Sequence, residues 1–508
     1  MNVKKTNAYL KKNKGREKMI YRTEHPKPQF MRENWLNLNG SWDFEIDHGG
    51  SGEARELYKP EADLSKKIQV PFCPESKLSG IGYTDFMNSV WYRREIEITE
   101  AQLSNLVILH CGAADYFTTI YVNGQKCGTH KGGYVSFSMD ITRYLFAGKN
   151  VITIHVEDDT RSRLIPSGKQ STHYESYSCY YTRTTGIWQT VWLEFVPDTH
   201  IIKTKYYGDI NNGTITVFAE LQGAGTFAVK ASYKGKAMGE ATVSSDGGTA
   251  VAVVKLAEKH LWQVGKGDLY DLALSYGEDQ VTSYFGLRSI QLTDKKFLLN
   301  GKSVFQRLIL DQGFYPDGIY TAPSDEELEK DIKRSLAMGF NGARLHEKYL
   351  KSVSCITVTG WGISSGESIP TGDWITLMQT AFTESFQSGW KRLTVILTIL
   401  RLLDGVRLMK PGMKKEENSL MSFLPQFIRQ RKQRIQPGPV LTPAEIIMCS
   451  PIFMICMIMN RIRRFLQSIT KRLENQTGLI SVRHLKNGRH IMEKFPSLSA
   501  NMAALAGL

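Results

Sequence analysis

Four polar side chains lie where two predicted strands end, about thirty residues apart. Arg344 and His346 close the strand "FNGARLH", Glu347 follows directly, and Asp311 ends the strand-like stretch "KSVFQRLILDQG". A guanidinium, an imidazole and carboxylates bind polar ligands and exchange protons, so together they are able to line a site. The same residues also fit a capped strand end with surface charges, and Asp311 fits a turn or helix-dipole carboxylate. Both interpretations stay open.

A helix is predicted between these two strands, over "SDEELEKDIKRSLAMG". Ser324 and Glu327 have capping-box spacing, apolar residues recur every fourth position from Leu328 to Leu336, and Gly339 marks the C-terminal stop. A strand–helix–strand order is typical of the start of a parallel (β/α)8 barrel, in which polar residues at the carboxyl ends of the strands line the active site.

The preceding part of the chain is predicted to be all-β. Between residues 30 and 197, short stretches such as "VWYRREIEI" and "NVITIHVED" alternate apolar with polar residues, which is typical of a β sandwich. Asn123-Gly124 predicts a type I′ hairpin turn, because both positions need a positive φ. From 198 to 288, four further β stretches with turns about ten residues apart predict an immunoglobulin-like sandwich.

Composition limits the class of protein. A length of 508 residues predicts about three domains. The seven cysteines are odd in number without CxxC spacing, which favours free thiols in a reducing compartment over disulfides or a zinc site. The basic N-terminus lacks an apolar segment of the secretory type, and the longest apolar run, 446–460, is too short to span a bilayer. We therefore expect a cytoplasmic protein without membrane partner, metal or cofactor.

Charge and aromatic residues divide the chain at 349/350. From Leu350 onward there are 21 Lys and Arg against 9 Asp and Glu, whereas all 22 tyrosines precede that residue and ten of the 17 methionines follow it. A basic nucleic-acid-binding tail is one explanation. The tail has no tyrosines for base stacking, however, and its basic residues are scattered among apolar ones, so we expect no nucleic-acid partner.

Several segments in order resemble glycoside hydrolase family 2. They include "RENWLNLNGSWDFEID", "IQVPFCPES", "TGIWQTVWLE", "SYFGLRSIQL" and "GFNGARLHEK", and the resemblance runs from about Pro28 to Lys348. It implies a jelly-roll sugar-binding domain, an immunoglobulin-like sandwich and a catalytic TIM barrel. The expected division of the chain is a basic N-terminal extension at 1–27, the jelly roll at 28–197, the second sandwich at 198–288, the first barrel units at 289–349, and a tail at 350–508.

The resemblance implies retaining exo-β-glycosidase chemistry of the β-galactosidase or β-glucuronidase type, with one Glu as acid/base and a second as nucleophile. In this family Asp311, Arg344 and His346 would support the sugar and the catalytic carboxylates. The family's "NE" and "E-[YF]-G" motifs are both missing after Lys348, so we expect an inactive chain. The alternative is a non-catalytic carbohydrate-binding protein that uses loop residues such as Asn123, His130 and Lys169.

When the codons of the tail are read one base out of phase, the resulting sequence is compatible with the same family. Read from the third base of each codon, 396–412 permits FNHPAIIGWCPFNETW, and the codon straddling Met409 and Lys410 is then GAA, a glutamate. The stretch 495–507 permits a string ending SEYGGIGW, with the nucleophile straddling Ala500 and Asn501. We hypothesise a frameshift near Tyr349, which makes residues 350–508 an out-of-frame tail without a native fold. The nucleotide sequence across codons 345–355 tests this.

Overall fold

The computed structural model describes residues 20–162, 165–293 and 296–345, together with the backbone of 364–367. His346 and Glu347 lie outside these residues. So do the positions of the two straddled carboxylate codons and, apart from 364–367, the whole of the predicted out-of-frame tail.

Two sheets and a short ribbon form the first sandwich. Its strands are β1 Trp35–Asn37, β2 Gly40–Ile46, β3 Lys66–Val70, β4 Ser89–Ile98, β5 Leu106–Cys111, β6 Ala114–Asp115, β7 Phe117–Val122, β8 Gln125–Lys131, β9 Phe137–Asp140, β10 Gly148–Glu157, β11 Gly186–Ile187 and β12 Val191–Val196. The one-turn helix α1 spans Glu100–Leu103. The sheet orders are β3-β2-β4-β10-β7-β8 and β1-β12-β5-β9, with β11 paired to β6.

A row of side chains across the larger sheet forms part of the core, because alternate residues of each strand point to the same face. Phe44 pairs with Tyr92, Tyr92 with Ile154, and Ile154 with Ile120, so four neighbouring strands present one apolar row to the interior. All four side chains are buried. Truncating such a residue to alanine removes apolar contacts and leaves a cavity, at a cost of about 2–5 kcal/mol.

The hairpin between β7 and β8 turns at Asn123 and Gly124, with φ of 50° and 78°. The type I′ prediction at this position is confirmed in its positive φ angles. The Asn123 side chain donates to Tyr144 O at 2.9 Å and accepts from the backbone N–H of Val151 at 2.9 Å. It therefore fastens the hairpin to β10.

The second sandwich follows directly. Its strands are β13 His200–Asp209, β14 Thr214–Gln222, β15 Gly225–Tyr233, β16 Lys236–Ser245, β17 Gly248–Lys255, β18 Tyr270–Tyr276 and β19 Asp279–Phe285. They form sheets in the orders β13-β14-β17 and β16-β15-β18-β19. Between them lies one apolar cluster that includes Val217, Phe227 and Tyr276. The prediction of two successive β sandwiches is confirmed.

A mixed segment completes the described fold. Its elements are β20 Ile290–Leu292, β21 Phe297–Leu299, β22 Lys302–Ser303, β23 Leu308–Asp311, α2 Asp325–Ala337, β24 Gly342–Leu345 and β25 Ser364–Glu367. Strands β20 to β22 form an antiparallel sheet, whereas β23, β24 and β25 are parallel neighbours in that order. The sequence predicted two of these parallel strands, and the third lies in the predicted out-of-frame tail.

Helix α2 begins and ends near its predicted limits, but the capping box is absent. Ser324 is the N-cap residue without a side-chain bond to the helix backbone. Glu327, the intended partner, accepts from Lys330 Nζ at 2.6 Å instead, because an exposed lysine one turn away competes for it. At the other end Gly339 has a φ of 85°, as the predicted stop requires.

Candidate functional site

The structure brings Asp311 and Arg344 to the same end of the parallel sheet. Leu310 on β23 is paired with Arg344 on β24, and Asp311 with Leu345. Asp311 and Arg344 are both half-buried. One Asp311 oxygen accepts a hydrogen bond from the backbone N–H of Gly313 at 2.7 Å. This is the contact expected of a carboxylate that stabilises a turn. The third predicted residue, His346, lies outside the described residues.

A tyrosine and a second carboxylate lie beside Asp311. Tyr315 donates its hydroxyl hydrogen to Asp331 Oδ2 on α2 at 3.3 Å. Burial raises the pKa of Asp331, and the negative charge of Asp311 raises it further. Burial also raises the pKa of Tyr315, with added contributions from Asp331 and Asp311. The strand end is therefore an acidic corner in which a tyrosine hydroxyl remains protonated.

A pocket of about 270 Å³ opens next to this corner, between the first sandwich and the loop that follows β23. Tyr181 and Phe314 stack in its wall, with ring centroids 4.3 Å apart and an interplanar angle of 23°. The lining residues are Ser176, Tyr181, Thr182, Phe314, Tyr315, Pro316 and Ile319. No charged side chain lines the pocket, so it offers flat apolar faces and hydroxyl groups. That combination suits an uncharged ligand with one apolar face and a polar rim.

Arg183 holds the wall that the first sandwich contributes. Its buried guanidinium donates to the backbone carbonyls of Ser171, His173, Tyr174 and Thr84. Four carbonyl acceptors on one planar fork fix the loop that leads into the pocket. Arg183 is not predictable from the sequence, because a buried arginine in a loop has no periodic signal.

The opposite wall, the loop after β23, is anchored in the first sandwich. Thr321 donates to Trp188 O and to Pro71 O, and the hydroxyls of Tyr320 and Tyr134 lie 3.2 Å apart. Ile319 and Tyr320 share an apolar cluster with Trp188 and Tyr134. Both walls of the pocket are therefore packed against the same sandwich core.

Three carboxyl groups are buried close to one another in the first sandwich. Burial raises the pKa of Glu75 to about 7 and that of Asp115 to about 7, and it raises the pKa of Asp158 as well. Asp115 accepts from Gln170 Nε2 at 2.7 Å, and Gln170 also accepts the backbone N–H of Thr184 at 2.8 Å. This group is not predictable from the sequence, because a single sequence does not distinguish buried from exposed carboxylates.

The loop residues considered for carbohydrate binding make internal contacts. Asn123 fastens a hairpin, as described above, and His130 stacks on Phe137 with centroids 4.2 Å apart. Lys169 lies 3.4 Å from Cys179 Sγ and over the ring of Tyr180. None of these three residues lines the pocket.

Metal sites, membrane-spanning helices and cysteines can be assessed in the described part of the chain. Within it, no three His, Cys, Asp or Glu side chains are arranged to hold a metal ion, and no helix is long and apolar enough to cross a membrane. The cysteines there are all free thiols, namely Cys73, Cys111, Cys127 and Cys179.

Comparison with known proteins decides the family. The sugar binding domain of glycosyl hydrolases family 2 matches residues 36–197, and a second family 2 domain matches residues 196–288. The chain belongs to glycosyl hydrolase family 2. The two family 2 domains coincide with the two β sandwiches, whose residues carry the resemblance seen in the sequence.

Two similar proteins are named as glycosidases. A putative β-glucuronidase of Formosa agariphila is 28% identical over 279 residues, which is 50% of this chain and 32% of the relative. A β-galactosidase of Thermoanaerobacter pseudethanolicus is 27% identical over 54% of this chain and 38% of its own length. The match thus spans less than two-fifths of the length of either relative.

Among solved structures, the β-glucuronidase of Lactobacillus rhamnosus superposes with a TM-score of 0.61 at 20% identity, covering 72% of this chain and 64% of that one. A β-glucuronidase of Ruminococcus gnavus, solved with D-glucuronic acid, gives a TM-score of 0.60 at 16% identity over 70% and 65% of the two chains. At these identities the likeness concerns the fold.

Proposed function

We propose that this chain binds β-glycosides in the pocket that Tyr181 and Phe314 line, and that it derives from retaining exo-β-glycosidases. The observation that supports this most is the position of the pocket, which lies beside the acidic strand end at Asp311. Pyranose rings have an apolar C–H face and a rim of hydroxyls, which matches aromatic faces interspersed with Ser, Thr and Tyr hydroxyls.

The β23–α2–β24 unit is proposed to begin a (β/α)8 barrel, with residues 289–349 as its first units. Parallel pairing of β23 with β24 and an intervening 13-residue helix support this assignment. In that setting Asp311, Arg344 and His346 would lie on the catalytic face and support the sugar. The half-buried position of Asp311 and Arg344 at neighbouring strand ends agrees with such a role.

Hydrolysis with retention would need two carboxyl groups about 5–5.5 Å apart, one to protonate the leaving oxygen and one to attack the anomeric carbon. The sequence lacks both family motifs after Lys348, and the neighbouring reading frame is compatible with them across Met409/Lys410 and Ala500/Asn501. We therefore propose that the printed chain binds glycosides without hydrolysing them.

Two expressed proteins test this proposal: the printed chain and a version with the reading frame shifted at codon 349. Each is assayed with 4-nitrophenyl β-galactoside and 4-nitrophenyl β-glucuronide. We expect no release of nitrophenol above the blank from the printed chain and measurable release from the shifted version. Hydrolysis by the printed chain would disprove the loss of activity, and an inactive, folded shifted version would disprove the frameshift.

The second candidate function is carbohydrate binding without any catalytic ancestry at this site. Because Asn123 and His130 are occupied by internal contacts, such binding would also use the pocket rather than those loop residues. The shifted version separates the two candidates, since a purely binding protein gains no turnover when its tail is changed.

A further inference from the structure

We propose that residues 21–32, here called the strap, are a positioning device that fastens α2 and the second sandwich to the first sandwich. The strap precedes both matched family domains, the first of which begins at residue 36. It contacts all three parts of the described structure. This proposal goes beyond the proposed glycoside binding and does not depend on it.

The first sandwich grips the beginning of the strap through its backbone. Asn37 Nδ2 and Asn39 Nδ2 both donate to Arg22 O at 3.0 Å, and Asn39 also donates to Tyr21 O at 3.2 Å. Tyr21 packs edge-on against Phe72, with ring centroids 5.0 Å apart. Two amide side chains therefore fix one carbonyl, and the aromatic contact adds to the packing beside it.

Arg22 then reaches α2. Its side chain is only 1% exposed, and Nη2 lies 2.6 Å from both Glu24 Oε1 and Asp325 Oδ1. Its Nε and Nη1 have no partner among the described residues, so these two carboxylates compensate the buried charge. Asp325 is the first residue of α2, where a carboxylate also interacts favourably with the helix dipole. Removing one partner of a buried ion pair leaves an uncompensated charge, which makes this contact sensitive to substitution.

The far end of the strap joins the second sandwich. Met31 and Thr282 exchange two backbone hydrogen bonds of 3.0 and 2.9 Å, which extends the edge strand β19. Ser283 Oγ donates to Gln29 O at 2.7 Å. Arg32 binds Asp279 on β19 and Glu194 on β12 at once. The strap thus covers a sheet edge and crosses from one sandwich to the other.

The strap reaches the pocket through α2. Asp325 starts the helix, Asp331 lies between one and two turns later, and Asp331 accepts the hydroxyl of the pocket residue Tyr315. Arg22 is therefore a positioning residue, since it acts on the pocket wall through α2. When the strap is released, the loop after β23 loses one of its supports while the sandwich core is unchanged.

Hydrogen exchange of the full-length chain, read by mass spectrometry, tests the strap. We expect Arg22→Met and Asp325→Asn each to accelerate amide exchange in residues 313–337 by about tenfold or more, with β4 and β10 unchanged. The double variant should be no faster than Arg22→Met alone, because both changes break one contact. The control is Lys330→Met, which breaks an ion pair on the exposed face of the same helix and should leave exchange unaltered.

Two results would overturn the proposal: unchanged exchange in 313–337 for both variants, or equal acceleration throughout the protein. If Arg22→Met does not fold, Asp325→Asn alone tests the proposal. The Asp325 side chain is 42% exposed, so an asparagine side chain is tolerated at this position. The readout involves no sugar, so failure of the strap and failure of the proposed glycoside binding are distinguishable.

Discussion

Arg32 and Asp279, 247 residues apart in the sequence, form a bidentate ion pair at the contact between the two sandwiches. Nε donates to one carboxylate oxygen at 2.8 Å and Nη2 to the other at 2.9 Å. A further nitrogen of the same guanidinium lies 2.7 Å from Glu194. Both residues are buried, so the two domains share one charge network rather than a flexible joint.

Asp279→Asn should therefore destabilise the protein strongly. The change leaves Arg32 buried with one carboxylate fewer, and breaking such a pair costs about 3–5 kcal/mol. Urea unfolding followed by tryptophan fluorescence measures it. The matched control is Glu220→Gln, in an exposed pair with Lys203, which should change the free energy of unfolding by less than about 1 kcal/mol. Similar effects of the two changes would contradict the network.

Stability should fall as pH falls from about 6.5 to about 4, through His110. Burial lowers the pKa of this histidine to about 4, with a further contribution from Lys27. The unfolded chain binds a proton near pH 6.5, whereas the folded chain does not, so acid favours unfolding. The pH dependence of the free energy of unfolding measures how many protons the chain takes up when it unfolds. Between pH 6.5 and 4.5, His110→Asn should lower that number by about one. The exposed His48 provides the control substitution; an equal change of slope from His48→Asn would refute the assignment.

The contribution of Glu75 to stability should have the opposite pH dependence from that of His110. Burial raises its pKa from 4.5 to about 7, so the folded state keeps a proton that the unfolded state has lost. The contribution of this group is most favourable below pH 4.5 and declines as pH rises towards 7 and above.

Glu75→Gln should accordingly stabilise the protein at pH 8, by an amount on the order of 3 kcal/mol, and have little effect at pH 4.5. Unfolding free energies at the two pH values measure this. Exposed Glu95→Gln serves as the comparison. If Glu75→Gln is equally destabilising at both pH values, the carboxyl group is ionised in the folded protein and the prediction fails.

Glycoside binding should depend on the stacked pair in the pocket wall. Tyr181→Ala removes the ring that packs against Phe314, and loss of such an aromatic contact weakens binding by about tenfold. Calorimetric titration with methyl β-galactoside and methyl β-glucuronide measures it. Tyr181→Phe keeps the ring and should keep most of the affinity. Tyr174 is 58% exposed and does not line the pocket, so Tyr174→Ala should bind normally.

Much of the fold follows from local patterns in the sequence. For strands such as β4 and β10 the sequence pattern predicts the limits to within one or two residues. Strand β13 was missed because a register shift between Ile201 and Lys203 interrupts its alternation. Strand β16 is an edge strand with mostly exposed or half-buried residues, so it has no apolar period to detect.

The site was predictable only where strands end. The strand–helix–strand pattern predicts Asp311 and Arg344 at a common edge of the sheet, and the structure places both residues at that edge, Asp311 opposite Leu345 and Arg344 opposite Leu310. Tyr181 and Phe314 come from loops 133 residues apart, and only tertiary packing joins them. Arg183 and Glu75 owe their roles to burial, which a single sequence does not reveal.

The strap also sets an order on biosynthesis. Arg32 leaves the ribosome early, but its partner Asp279 is made 247 residues later, a delay of roughly 10–50 s at ordinary elongation rates. Asp325, the partner of Arg22, follows later still. The strap is thus among the last segments to reach its final place, although it is translated before both partners. During that interval each arginine lacks one of its two carboxylate partners.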